Sequence, residues 1–166
     1  MKMNTRDITI ISILSVILFA QKELLSFIPN VSLTVFLIVL FSKKMGFFRT
    51  LIIVVVYCLL DILVTGSFNI IYNPFMLIGL SIIPLIINLF FKNNDNTIIL
   101  SILAGLFSLV YCWIFIIPSV FIYQMDLIIY LINDIPFELV FLVSSSISTL
   151  LLYKPCSTLF DKYINS

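Results

Sequence analysis

The stretch that decides the fold lies at residues 51–64 and reads LIIVVVYCLLDILV. Every residue in it except Asp61 is of a hydrophobic type, and the apolar pattern approaches the roughly 20 residues that a membrane-spanning helix needs. A carboxylate at the centre of a bilayer costs about 3 kcal/mol even on the gentlest insertion scale. We therefore interpret residues 51–64 as part of a transmembrane helix in which Asp61 has a structural or functional use.

The composition of the whole chain points to the same class of protein. Its 166 residues are 62% hydrophobic and only 10% charged, whereas soluble domains carry about 25% charged residues. The net charge of +1 excludes the large basic surface that a nucleic-acid partner requires. There is no histidine, and Cys58, Cys112 and Cys156 are too widely spaced for a metal knuckle. The sequence also has no phosphate-binding loop, so it predicts neither a metal nor another cofactor.

Six apolar segments follow one another along the chain, separated by breaks that are rich in glycine, asparagine and charge. We predict an all-α membrane protein, with a single six-helix transmembrane bundle over residues 1–166. The predicted helices cover residues 7–28, 29–42, 47–65, 70–91, 97–123 and 135–153. The first segment has no small-residue cleavage site after it, so we interpret it as a membrane helix rather than a secretion signal.

The placement of basic residues indicates whether the short second segment crosses the membrane. With six crossings and a cytoplasmic N-terminus, eight of the nine Lys and Arg residues become cytoplasmic, and the ninth is Lys22 within the first helix. Without the second crossing, Lys43, Lys44 and Arg49 would lie outside. The positive-inside rule therefore favours six helices with both termini in the cytoplasm.

The polar groups within the apolar segments gather in one layer near the external side. Asp61 lies in the outer half of the third helix and shares a polar stripe with Tyr57 and Thr65, four residues away on either side. The inner halves carry serines and Asn88 but no charge, which is typical of a pocket open to the exterior rather than of a continuous pore. The candidate substrate-binding residues are Asp61, Glu138, Asn69, Tyr72, Asn73, Trp113, Gln21, Lys22, Glu23 and Asn30.

Five of the candidates also have a purely structural interpretation. Lys22 could extend its ammonium group to the membrane interface, and Glu138 could be a first-turn carboxylate that the helix dipole stabilises. Asp61 could make only an interhelical hydrogen bond. Trp113 could fill the core, and Tyr72 could belong to an aromatic belt at the interface.

Two stripes of small residues predict close contacts between helices. The first, on the fifth helix, consists of Ser101, Ala104, Gly105, Ser108 and Cys112. The second, on the sixth helix, consists of Ser144, Ser145, Ser146 and Ser148.

Two loop regions carry a resemblance to a known family. The first reads QKELLSFIPN at residues 21–30 and runs into LTVFL at 33–37, and the second reads GSFN at 66–69 and is followed by YNPF at 72–75. With these loops, six short helices and an outward polar layer, the chain resembles the substrate-binding S component of an energy-coupling factor (ECF) vitamin transporter. The likeness covers nearly the whole chain.

The resemblance implies a transport function in a bacterial plasma membrane, as a multi-pass protein in the lipid bilayer. It implies capture of a vitamin-like substrate under the external loops and docking on a transmembrane coupling subunit. Two ATPase subunits would supply the energy, so this chain would not itself be an enzyme. Family members carry an Ala-x-x-x-Ala docking pattern on the first helix, for which the nearest equivalents here are Ser12 and Val16, or Ser15 and Phe19.

The charge of the polar layer suggests which ligand would bind. Its acids outnumber the single Lys22, which favours a ligand that is cationic or rich in N–H donors. Three other functions remain open at this point. They are a membrane-embedded enzyme that uses Asp61 and Glu138 as a carboxylate pair, a structural or assembly subunit, and a small channel or proton-coupled carrier.

Overall fold

The computed structural model describes residues 4–29, 31–66 and 68–163, and helices dominate this part of the chain. The helices are α1 (Thr5–Leu25), α2 (Thr34–Met45), α3 (Phe47–Thr65), α4 (Tyr72–Phe90), α5 (Thr97–Ile114) and α6 (Leu127–Tyr163), with a π-helical turn at Pro118–Ile122 between the last two. Five of these elements are long and apolar enough to cross a membrane, the fifth helix counting with its π-helical turn as Thr97–Ile122. The all-helical, membrane-type architecture is thereby confirmed.

The second helix differs from the other five in length and position. It has 12 residues, or about 18 Å at 1.5 Å per residue, whereas α1 has 21 and α3 has 19. It contacts all five other helices, and most of its side chains are buried, with Val35, Ile38 and Val39 fully inaccessible. A short central helix therefore lies inside a ring of longer ones.

Ion pairs at one end of the bundle show how the helices alternate in direction. Arg49 at the start of α3 bonds to Asp7 at the start of α1, with 2.9 Å between Nη2 and Oδ2. Lys44 at the end of α2 bonds to Asp161 at the end of α6, at 2.6 Å.

We call this end of the bundle the basic end, and its basic residues in the described chain are Arg6, Lys43, Lys44, Arg49, Lys92, Lys154 and Lys162. The opposite end, the acidic end, holds Lys22, Glu23, Asp61, Asp126, Asp134 and Glu138.

Members of the two stripes of small residues contact each other between α5 and α6, in agreement with the close helix contacts predicted for each stripe. The Ser101 hydroxyl donates to the Ser146 carbonyl oxygen at 2.7 Å. A side chain at Gly105 would overlap the Ser146 hydroxyl and contact Leu142. Small residues thus let the two helices approach until a side chain on one bonds to the backbone of the other.

The helix boundaries agree with the predicted ones most closely in α3 and least in α6. The structure gives α3 the bounds Phe47–Thr65, identical to the predicted segment. It starts α2 at Thr34 rather than residue 29, and it extends α6 from Leu127 to Tyr163, beyond the predicted 135–153 on both sides. Pro136 and Pro155 lie inside α6, where neighbouring helices can compensate for the lost backbone bonds. Glu138 is consequently far from the first turn, and its interpretation as a dipole-stabilised carboxylate is wrong.

Candidate functional site: a cavity at the acidic end

A cavity of about 270 Å³ lies at the acidic end of the bundle, under the loop between α1 and α2. All six helices and this loop contribute to its wall. The cavity follows from the length of α2, because the short central helix begins at Thr34, level with Gln21 of α1, and the described loop residues 26–29 and 31–33 lie beyond it. Small-molecule sites typically have about 300–1,000 Å³, so the volume suits a ligand at the small end of that range.

The described cavity wall combines apolar side chains with a small number of polar groups. The apolar part includes Leu80 of α4 and Phe141 of α6. The polar side chains are Lys22, Ser26, Ser32, Thr34, Tyr57 and Tyr111, with the thiol of Cys112 beside them. Apolar walls with a few placed donors and acceptors are the usual make-up of a small-molecule site.

Lys22 and Asp61 form an ion pair at this site, which joins α1 to α3. The Lys22 ammonium donates to Oδ1 of Asp61. The ammonium side chain is 37% exposed and lines the cavity, whereas the Asp61 side chain is only 10% exposed and lies behind it. The pair therefore presents its positive partner to the cavity and keeps its negative partner buried.

Two tyrosines line the cavity from different helices. Tyr57 of α3 is buried beside Thr34 of α2. The ring of Tyr111, on α5, packs edge-on against Phe115 and Phe141, with centroids 5.1 and 6.0 Å away. Its hydroxyl makes no hydrogen bond with any other residue in the described parts of the chain. An unpartnered hydroxyl at a cavity wall is free to bond to a ligand.

A glycine of α4 makes room for the Tyr111 ring. A Cβ added at Gly79 would lie 2.9 Å from Cδ2 of Tyr111, closer than carbon atoms tolerate. Only a residue without a side chain fits here, since any other would push the ring out of its place in the cavity wall.

Gln21 fixes the second half of the α1–α2 loop. Its amide nitrogen donates to the Leu18 carbonyl oxygen at 2.9 Å and to the Thr34 hydroxyl at 2.7 Å, and its amide oxygen accepts from the Leu33 N–H at 2.9 Å. Ser32 is further held by Ser144 of α6, whose hydroxyl accepts from the Ser32 N–H at 3.2 Å. Gln21 is thus a structural residue at the edge of the cavity rather than part of its wall.

Trp113 and Glu138 form a second polar pair, between α5 and α6. The indole N–H donates to Oε2 of Glu138 at 3.3 Å. Glu138 is buried, and its other oxygen, Oε1, has no hydrogen-bond partner among the described residues. Half of the Trp113 surface remains exposed on the outside of the bundle. Glu138 and Asp61 therefore have different partners on different helices.

The candidates from the α3–α4 loop belong to an aromatic cluster of their own. Asn69 accepts from the backbone N–H groups of Ile71 and Tyr72 at 2.9 and 3.1 Å, which stabilises the start of α4. The Tyr72 ring stacks on Tyr123 with centroids 5.4 Å apart, and its hydroxyl pairs with Ser119 at 3.1 Å. These residues join the α3–α4 loop to the π-helical turn.

Asn73 lies apart from the cavity as well. It lines a shallow apolar groove between α3 and α4, together with Cys58 and Pro74. Its buried amide nitrogen has no hydrogen-bond partner in the described chain.

Of the ten candidates chosen from the sequence, the structure brings one, Lys22, into the described cavity wall and puts Asp61 directly behind it. Glu23 is exposed at the end of α1, and Asn30 lies outside the described residues. Sequence reasoning did not select Tyr57 or Tyr111. The signal for Tyr57 was present in the polar stripe that it shares with Asp61, whereas nothing in the sequence distinguishes Tyr111 from a core aromatic.

No protein-family model, no curated protein and no solved structure matches this chain. The site must therefore be interpreted from its own residues.

Proposed function

We propose that this protein is a substrate-binding membrane subunit of an ECF-type importer, which captures a small water-soluble, vitamin-like molecule in the cavity at the acidic end. The observation that carries the proposal is the cavity of about 270 Å³ under the α1–α2 loop, with polar groups supplied by α1, α3 and α5. This position agrees with the one that the family resemblance implies for the substrate, under the loop between the first two helices.

The proposed orientation puts the basic end in the cytoplasm. Most Lys and Arg residues gather there, which agrees with the positive-inside rule. In this arrangement α2 and the loop before it form one of six membrane crossings, in addition to the five long helices. Both termini are then cytoplasmic, and the cavity opens to the exterior of a bacterial plasma membrane. The short α2 needs no contact with lipid, because the five longer helices surround it.

The proposed partners are a transmembrane coupling subunit and two ATPase subunits. The face of α1 supports one of the two docking alternatives, since Ser12 and Val16 are exposed on the outside of the bundle. Ser15 is fully buried against α3, and Phe19 packs against the core. We therefore assign docking to the face that carries Ser12 and Val16.

The contacts of the two membrane carboxylates favour binding over catalysis by a carboxylate pair. Acid-pair chemistry needs the two groups side by side, so that they share a proton. Here Asp61 pairs with Lys22, and Glu138 accepts from Trp113. Tyr111, a residue of the cavity wall whose hydroxyl has no hydrogen-bond partner in the described chain, also favours a ligand site over a purely structural subunit.

The test is to purify the full chain and to analyse it by native mass spectrometry for a bound compound, followed by calorimetry with a panel of vitamins. We expect a stoichiometric small molecule in the wild-type protein. Ser26→Trp, which puts a large ring into the cavity, should abolish binding. Thr9→Trp, at an exposed position on α1 that does not line the cavity, is the matched control and should retain it.

A folded wild-type protein that carries no compound and binds no member of the panel would refute the proposal. Retention of the ligand by Ser26→Trp would show that binding occurs elsewhere. Co-purification with an ATPase pair would separately support the assignment to an importer.

A further inference from the structure

The charge of the cavity wall differs from the charge of the acidic end as a whole. The acidic end carries five carboxylates and one ammonium group, but no carboxylate lines the cavity among the described residues. Glu23 is exposed, Glu138 is bound to Trp113, and Asp61 is behind Lys22. The wall therefore favours a ligand other than the cationic or donor-rich one expected from residue types alone.

Two side chains of the described cavity wall, Lys22 and Tyr111, retain hydrogen-bond donors that the protein does not use. An ammonium group has three N–H donors, and Asp61 accepts one bond from Lys22. The Tyr111 hydroxyl has no described partner and can donate a further bond. The hydroxyls of Ser32 and Thr34 are occupied, because they bond to each other at 2.7 Å and Thr34 also accepts from Gln21. A ligand that satisfies these free donors must supply acceptors, such as a carbonyl oxygen or a ring nitrogen.

The ion pair also restricts the charge of the ligand. A cation would meet the Lys22 ammonium at the cavity wall. An anion would bring a second negative charge to the one ammonium group, close to the buried Asp61 carboxylate, and like charges in a partly buried site repel each other. A neutral molecule meets neither penalty, since the Lys22–Asp61 pair has no net charge.

We infer that the cavity selects a small, uncharged ring compound that carries hydrogen-bond acceptors, with Lys22 and Tyr111 as its donors. The rings of Tyr57, Tyr111 and Phe141 provide the flat apolar surfaces for such a ring. Asp61 acts as a positioning residue that neutralises Lys22 and holds it at the wall. This inference rests on the proposed function, because it names the ligand class of the same cavity.

The experiment compares three probes of nearly identical shape and different charge: benzamide, benzoate and benzamidine. Binding to the full chain is measured by ligand-observed NMR, and the net charge at pH 7 of any co-purified compound is determined by mass spectrometry and chemical identification. We expect benzamide to bind at least about tenfold more tightly than either charged probe. A co-purified compound should be neutral.

Two variants sharpen the comparison. Asp61→Asn removes the neutralising charge, so the preference should shift by about tenfold or more toward benzoate. Asp126→Asn removes a carboxylate from the same end of the bundle while preserving the side-chain oxygen that caps α6, and it should leave the preference unchanged.

The possible failures are distinguishable. If benzoate or benzamidine binds as tightly as benzamide, or if the co-purified compound is charged, the ligand class is wrong while the proposed function stands. If the probes do not bind but a neutral compound co-purifies, the ligand class is supported. If no probe binds, nothing co-purifies and no member of the vitamin panel binds, both the ligand class and the proposed function are refuted.

Discussion

The two ends of the bundle treat their charged groups differently. At the basic end, Lys43 has an almost inaccessible ammonium group that donates to the carbonyl oxygens of Phe91, Lys92 and Asn94 at 3.0, 2.6 and 3.0 Å and pairs with Asp95. At the acidic end, Lys22 has one acid partner, is over a third exposed and lines a cavity. One lysine has its bonding capacity filled by the protein, and the other retains free donors.

This contrast separates groups that hold the fold from groups that are available to a ligand. Lys43 joins the end of α2 to the α4–α5 loop and lies at the C-terminus of α4, where a positive charge is favourable. Lys22 lies at the end of α1, where it pairs with Asp61 of α3 and lines the cavity. Substitutions at the basic end should therefore change stability alone, and substitutions around the cavity should change ligand binding.

The largest loss of stability is expected for Lys43→Met. Three carbonyl oxygens would lose their donor. Water can replace part of this bonding in the α4–α5 loop, so we expect a loss of about 2–4 kcal/mol in the free energy of unfolding. Ligand affinity, measured on the folded fraction at low temperature, should not change. Chemical denaturation in detergent gives the first quantity and calorimetry the second, and a loss of affinity equal to that of a cavity variant would break the proposed division between the ends.

The next effect is expected at the Lys22–Asp61 pair, where the two single substitutions should differ. Lys22→Met leaves Asp61 buried without its partner, and we expect a loss of about 2 kcal/mol, below the range for fully buried pairs because Lys22 is partly exposed. Asp61→Leu should cost less, since the long lysine side chain can extend toward the interface. The double variant should recover part of the stability of Lys22→Met.

Ligand affinity provides the contrast within this double-mutant cycle. Both variants that lack Lys22 should lose binding, although the double variant regains stability. If affinity instead followed stability through all three variants, the pair would be only a structural element of the bundle.

Sequence patterns predicted the long helices well because these depend on local hydrophobic runs. The bounds of α3 follow directly from the apolar stretch that contains residues 51–64, with Gly46 and Gly66 at its two ends. The start of α6 did not follow from the sequence, because the predicted helix begins at residue 135, next to Pro136, whereas in the structure Pro136 is an internal proline that neighbouring helices tolerate. The predicted start of α2, at residue 29, is also too early, because the apolar residues Val31 and Leu33 of the α1–α2 loop precede the helix and resemble its hydrophobic run.

The site could be predicted only in part because its contacts are long-range. Asp61 and Lys22 were both singled out as expensive charges, but 39 residues separate them and no local pattern states that they pair. The same holds for Trp113 and Glu138, which were chosen individually. The cavity itself depends on how far the short α2 extends within the assembled bundle, which no single segment encodes.

A smaller effect on stability, with a clear effect on the ligand, is expected for Gly79→Ala. The added methyl group would displace the Tyr111 ring. The strain should be offset in part by the better helix propensity of alanine, which leaves a net loss of about 1 kcal/mol. Ligand affinity should fall by about tenfold or more because the cavity wall moves.

Gly105→Ala is the matched control for this glycine. Its methyl group would press against Ser146 and Leu142 at the α5–α6 contact, away from the cavity wall. It should reduce the melting temperature without reducing ligand affinity. Equal losses of affinity in the two variants would show that general loosening of the helix packing, and not the position of Tyr111, controls binding.

The smallest change in stability is expected for Tyr111→Phe, and it tests the comparison of the two ends at the level of one oxygen atom. The Tyr111 hydroxyl has no partner in the described chain, so its removal should alter the free energy of unfolding by no more than about 0.5 kcal/mol. If this hydroxyl donates to the ligand, affinity should fall by roughly two- to tenfold, which is the net contribution of one hydrogen bond.

The matched substitution at the basic end is Tyr153→Phe, where a buried ring carries a hydroxyl that interacts with the Asp95 carboxylate. There the loss should be about 1 kcal/mol of stability with unchanged affinity. Thermal denaturation and calorimetry on both variants give the four values, and the opposite assignment of the two effects would show that the unpaired hydroxyl at the acidic end is not a ligand contact.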